Sequence, residues 1–128
     1  MPGLDITPRL APGRQYIQGY GDGWFRIAGQ VYEGSVIVLA ETTQAWSVTE
    51  ADGVTAESLS PVIAEGSAVE LLVVGCGATF TPPPKGLREA LREHRLALEW
   101  MDTGAACRTF DVLLTEGRAV AAALIAVG

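Results

Sequence analysis

The stretch Val69-Glu70-Leu71-Leu72-Val73-Val74-Gly75-Cys76-Gly77 decides the fold. Within it Val69 to Val74, apolar apart from Glu70, reads as a strand covered on both faces, and Gly75-Cys76-Gly77 as the loop that follows. The two glycines let the chain leave a buried strand sharply. Downstream, Pro82-Pro83-Pro84 closes a loop, and Leu87, Ala90, Leu91 and His94 line one face of a helix. Leu96 to Met101 reads as the next strand, followed by the turn Asp102-Thr103. Thr103 is placed to cap a helix with apolar positions Ala106, Phe110, Leu113 and Leu114, stopped by Gly117. Ala119 to Val127 reads as the last strand. Strands alternating with helices of this length predict crossover units in a shared sheet.

Upstream the spacing is shorter. Gly19-Tyr20-Gly21-Asp22-Gly23 and Ala28-Gly29 read as turns around Trp24–Ile27, and Glu33-Gly34 precedes the strand Ser35–Leu39. Thr43–Val48 is a further strand candidate, ended by Ala51-Asp52-Gly53. Such spacing predicts antiparallel hairpins. Leu59, Val62 and Ile63 have helical spacing, with Ser60 placed to cap, Pro61 at a tolerated position and Gly66 to stop. The fold class expected is α/β, three-layer, with a central mixed sheet, N-terminal β-hairpins and C-terminal crossover helices. Residues 1–14, rich in proline and glycine, read as a flexible arm before a single domain spanning 15–128.

Composition narrows the functions. The 128 residues are 48% hydrophobic and 19% charged, the balance of a globular domain. No run reaches the ~18 apolar residues that span a bilayer. With no apolar signal core at the N-terminus either, a cytoplasmic protein that is not membrane-embedded is expected. The formal charge is −6, and residues 1–84 carry all of it, with three Arg against nine acids. An acidic body is repelled by phosphate backbones, so no nucleic-acid partner is expected. Cys76 and Cys107 make neither a disulfide framework nor a zinc site, and no metal or cofactor is expected.

Chemistry in open α/β sheets sits beyond the carboxyl ends of the strands. Gly75, Cys76 and Gly77 fall there, as do Asp102 and Thr103, each group preceding a helix whose free N–H groups favour an anion. Together they form the two lips of a candidate ligand-binding cleft. The Gly-Cys-Gly loop is not a dinucleotide fingerprint, because the third glycine is missing and three prolines precede its helix. Cys107 reads as a small buried hydrophobe, while Cys76 at a strand end is the candidate for thiol chemistry, paired with Cys107 in a redox couple if the two thiols approach each other. His94, the only histidine, closes a helix and has no orienting partner, so no catalytic residue is assigned. Lys85, Arg88 and Arg92, with Arg95, form the basic cluster. It is either a solvated helix face or a docking patch for an acidic partner. The aromatic side chains Tyr16, Tyr20, Trp24, Phe25, Tyr32 and Trp46 are expected to pack the hairpin half.

Several stretches carry a family resemblance: Tyr16–Tyr20, Val31–Leu39 and Trp46 in the first half, then Leu72–Gly77, Glu99–Thr103, Ala106–Leu113 and Glu116–Leu124. In order and spacing they resemble a domain-of-unknown-function family with a Mth938-like domain. Its members include the mitochondrial NADH:ubiquinone oxidoreductase assembly factor 3 and the adipogenesis-associated Mth938-like domain protein. The resemblance implies a three-layer α/β fold and no settled enzymatic activity. It also implies an interaction or assembly-factor role, with respiratory complex subunits as partners. Cys76 stands where the family often has a hydroxyl residue, and Asp111 where an amide is common.

Overall fold

A computed structural model describes residues 13–128. The expected arm, 1–14, lies outside the described residues except for Gly13 and Arg14. Three strands, β1 (Ile17–Gly21), β2 (Trp24–Ile27) and β3 (Gln30–Glu33), pair antiparallel in that order. Ile27 pairs with Gln30 across the two-residue turn Ala28-Gly29, whose φ angles are 49° and 83°. Positive φ at both central positions is what a tight hairpin needs to match strand twist.

The glycines of the preceding turn have a different role from the one expected. Gly19-Tyr20-Gly21 belong to β1, and only Asp22-Gly23 turn. Gly21 lies opposite Trp24, and a β-carbon there would stand 2.7 Å from the indole Nε1. The glycine makes room for a ring that covers the strand.

The remaining strands, β4 (Val36–Val38), β5 (Thr43–Ala45), β6 (Leu71–Gly75), β7 (Ala97–Met101) and β8 (Val120–Leu124), form a five-stranded sheet in the order β5-β4-β8-β6-β7. Pairs β5–β4 and β4–β8 are antiparallel, while β8–β6 and β6–β7 are parallel. The central sheet is therefore mixed. The hairpins divide: β4–β5 joins the central sheet, and β1–β3 stand as a sheet of their own.

Alternation along the central strands sends side chains to two faces. Ile37, Leu72, Val74, Leu98, Ala121 and Ala123 face one core, with α1 (Ser60–Ile63) and α2 (Leu87–Arg92) over it. Val36, Val38, Val73, Ala122 and Leu124 face the other, closed by α3 (Thr103–Thr115) and the small sheet through Phe110, Phe25 and Ile27. Three layers result.

Some expected boundaries shift. Strand pairing stops at Ala45, and Trp46 instead donates its amide to Ser35 O and buries its ring. Leu59, with no side-chain cap bond, holds the N-cap of α1, and Ser60 is the first helical residue. The last strand ends at Leu124, after which Val127 makes a parallel bridge to Asp22 and ties the two sheets together.

Candidate functional site

At the carboxyl ends of β6, β7 and β8, one hydroxyl ties the strand ends together. Thr103 is fully buried. Its Oγ1 donates to Ile125 O at 2.7 Å and accepts from the Gly77 amide at 3.0 Å. Its own amide donates to Gly77 O at 2.9 Å, and the Cys76 amide donates to Met101 O at 2.8 Å. The cap of α3 is Asp102, not Thr103: extended at φ −64°, ψ 160°, its Oδ1 accepts from the Ala105 amide at 3.0 Å. An aspartate in that position satisfies a free N–H and adds negative charge at the positive end of the helix dipole.

Gly75 has a steric reason to be glycine. A β-carbon on it would stand 2.8 Å from both Cα and Oγ1 of Thr103 and 3.2 Å from Cβ of Ala106. Helix α3 thus rests directly on the end of β6. Gly77, at φ +120°, adopts a conformation that only glycine takes freely.

The two lips of the expected cleft are brought together, and hydrogen bonds join them edge to edge. The open space beside Cys76 and Gly77 lies between them, the turn at residues 49–52 and the segment 125–128. It is a cavity of about 580 Å³ whose lining includes Asp52, Thr81, Pro84 and Val127 but neither Asp102 nor Thr103. The Cys76 side chain is buried, with Sγ 3.6 Å from Thr79 O as donor and 3.4 Å from the Thr81 amide as acceptor.

Cys107 is also free and buried, packed with Phe110, Leu114 and Val73. Burial, and then the carboxylates of Asp111 and Asp102, push its thiol up to about 12 against the opposing pull of Arg108 and its own backbone. Position early in α3 does not produce a reactive thiolate here, because burial outweighs the dipole. Asp111 is pushed up to about 6 by burial, against the Ile17 amide, which donates to its Oδ1 at 2.8 Å. Sequence reasoning missed this link between α3 and β1. The residue types alone carry no signal that a helix carboxylate would replace a strand partner.

The basic cluster straddles α2 and the start of β7. Lys85 and Arg92 are exposed, and Arg88 donates through Nη1 to Leu98 O at 2.6 Å. Arg88, Arg92 and Arg95, with Glu70, line a pocket of about 300 Å³. His94 lies in the turn beyond α2, its amide donating to Leu91 O. The next two amides, of Arg95 and Leu96, donate to Arg92 O and Leu91 O, the closing pattern that ordinarily places glycine in the left-handed position. Arg95 occupies it at φ 59°.

No group of three or more His, Cys, Asp or Glu among the described residues could hold a metal ion. No helix among them is long and apolar enough to cross a membrane.

Comparisons with known proteins agree with this architecture. An uncharacterized protein of Rhodobacter capsulatus is 39% identical over 109 residues, covering 85% of this chain and 82% of its own length. NADH dehydrogenase [ubiquinone] 1 alpha subcomplex assembly factor 3 of Mus musculus is 34% identical over 114 residues. That match takes in 89% of this chain but only 62% of the mouse protein. A crystal structure from Bartonella henselae, described as an outer membrane protein, superposes with a TM-score of 0.83 at 42% identity, covering 91% of this chain and 98% of that one. A Bordetella pertussis Mth938-like domain superposes with a TM-score of 0.80 at 22% identity, covering 95% and 92%. A family model matches residues 17–125, from the first strand to just past the last. The chain therefore belongs to the family described as protein of unknown function DUF498/DUF598 and has the Mth938-like fold.

Proposed function

We propose that this chain is a non-enzymatic interaction protein that helps assemble respiratory complex I. The observation that carries the reading is its similarity to the assembly factors, which extends across nearly the whole domain at 34% identity. The candidate site supports it. Thr103, Gly77 and Ile125 spend their polar groups on one another, and the Cys107 thiol is held protonated at neutral pH. These groups act as structural ties and leave no nucleophile–base pair. The partners proposed are respiratory complex subunits, met from the cytoplasmic side of the membrane. Deleting the gene and resolving native membrane complexes tests this: complex I should fall and return on complementation. Unchanged complex I levels would remove the reading.

A second reading rests on the cavity beside Cys76 and Gly77, whose volume suits a small ligand. In it the Gly75-Cys76-Gly77 loop binds a small molecule or anion, and Thr103, set by the Asp102 cap of α3, holds the loop in place. Fragment screening by NMR should then shift the amides of Cys76, Gly77 and Val127 together. A screen that leaves all three unmoved removes this version.

A further inference from the structure

We infer that the pocket lined by Arg88, Arg92 and Arg95 is where the chain docks an acidic segment of a protein partner. The inference rests on the interaction reading above and names the surface and the chemistry of what binds it. Arg88 and Arg92 lie one turn apart on α2, and Arg95 joins them on one pocket from the closing turn, while Lys85 lies just ahead of the helix. Between Lys85 and Arg95 they outnumber the two acids, Glu89 and Glu93, in a chain whose formal charge is −6. The patch is therefore the basic exception on an acidic body.

Two details separate a docking surface from a merely solvated face. Arg88 is fixed by its bond to Leu98 O, so one guanidinium is oriented before any ligand arrives. Arg95 holds a left-handed backbone that glycine adopts without strain, and its side chain adds a third guanidinium to the pocket lining. Arg92 and Arg95 make no side-chain hydrogen bond among the described residues, leaving both forks free to bind a carboxylate through two parallel bonds.

Glu70 lines the same pocket, and its charge bears on the ligand. Its carboxylate offsets one of the three guanidinium charges and leaves the pocket net cationic. Three guanidinium groups around the pocket, with Lys85 ahead of α2, suit an extended chain with repeated carboxylates better than one small ion.

The test is a titration of the isotope-labelled protein with hexaglutamate peptide, hexaglutamine peptide and inorganic phosphate in separate arms. The glutamate peptide should move the amides of Arg88, Arg92, Arg95 and Ala97, and added salt should weaken the effect. Arg92→Glu should weaken binding about tenfold and Arg95→Gly about fivefold. Arg95→Gly should do so at an equal or higher melting temperature, since glycine relieves the left-handed position. Equal shifts with hexaglutamine, stronger shifts with phosphate, or no shift with any probe would each overturn the inference. If deletion lowers complex I while hexaglutamate moves none of these amides, this docking site falls and the assembly reading stands.

Discussion

The carboxylate of Asp111 on α3 accepts the amide of Ile17 on β1 at 2.8 Å, joining the helix layer to the first strand of the small sheet. It does so from a half-buried position, where desolvation lifts it from the ordinary 3.8 to about 6. A carboxyl whose folded value lies above its unfolded one binds a proton more tightly in the folded state. Its contribution is complete below about pH 3.8 and is lost as pH rises through about 6. Asp111→Asn keeps an acceptor for Ile17 and removes the charge. It should stabilise the protein by about 1 kcal/mol at pH 7, a figure already reduced for partial exposure, and leave it nearly unchanged at pH 4. Urea unfolding at both pH values measures this; equal gains at both would contradict it.

Thr103→Val should be costly for its size. The valine keeps the shape but leaves the Gly77 amide and Ile125 carbonyl without the hydroxyl that now serves both. A buried donor and acceptor left unpaired cost about 2–4 kcal/mol together. Thr103→Ser retains the hydroxyl and should recover most of that loss, which chemical denaturation of the two variants would compare directly.

Gly75→Ala tests why β6 ends in glycine. The added methyl meets backbone as well as side chain of Thr103 at 2.8 Å, so no rotamer change relieves it. A loss of about 2 kcal/mol or more is expected, with shifts confined to the Gly75–Gly77 and Asp102–Ala106 backbone. By contrast, Gly21→Ala presses on the Trp24 indole, which can move. The smaller loss there, read by thermal melting of both variants, separates the two roles of glycine.

The crossover half was legible because burial on both faces leaves unmistakable runs. Ala97–Met101 and Val120–Leu124 fall within the strands expected from apolarity alone, and Leu71–Gly75 runs one residue past the expected Val69–Val74. Sheet membership was not legible. Nothing local tells Val36–Val38 to pair with β8 while Trp24–Ile27 pairs elsewhere, because pairing is settled by contacts distant in sequence. The site was half readable. That Gly75–Gly77 and Asp102-Thr103 would meet follows from strand-end geometry, but their meeting through the Thr103 hydroxyl depends on Ile125, a residue with no polar side chain to mark it. The αL arginine was likewise invisible, since helix-closing positions normally announce themselves with glycine.

The two cysteines give a final, chemical prediction. Both are buried, and the Cys107 thiol, at about 12, holds only about one part in ten thousand as thiolate at pH 8. Alkylation of Cys107 in the native protein should therefore wait for the domain to open, and its rate should rise with urea in step with unfolding. Cys76 has a second hold: its sulfur accepts from the Thr81 amide while donating to Thr79 O, so modification requires the 76–81 loop to release it. Mass spectrometry of timed iodoacetamide reactions should show Cys107 protected the longer, since Cys76 needs only a loop to move while Cys107 needs α3 to lift off Val73 and the sheet. Rapid and equal labelling of both in the absence of urea would contradict this order. Asp111→Asn removes one of the charges that raise the Cys107 thiol, so it should speed the Cys107 reaction in the open state slightly, whereas in the native state its added stability of about 1 kcal/mol should slow the reaction about fivefold. That contrast separates control by opening from control by charge.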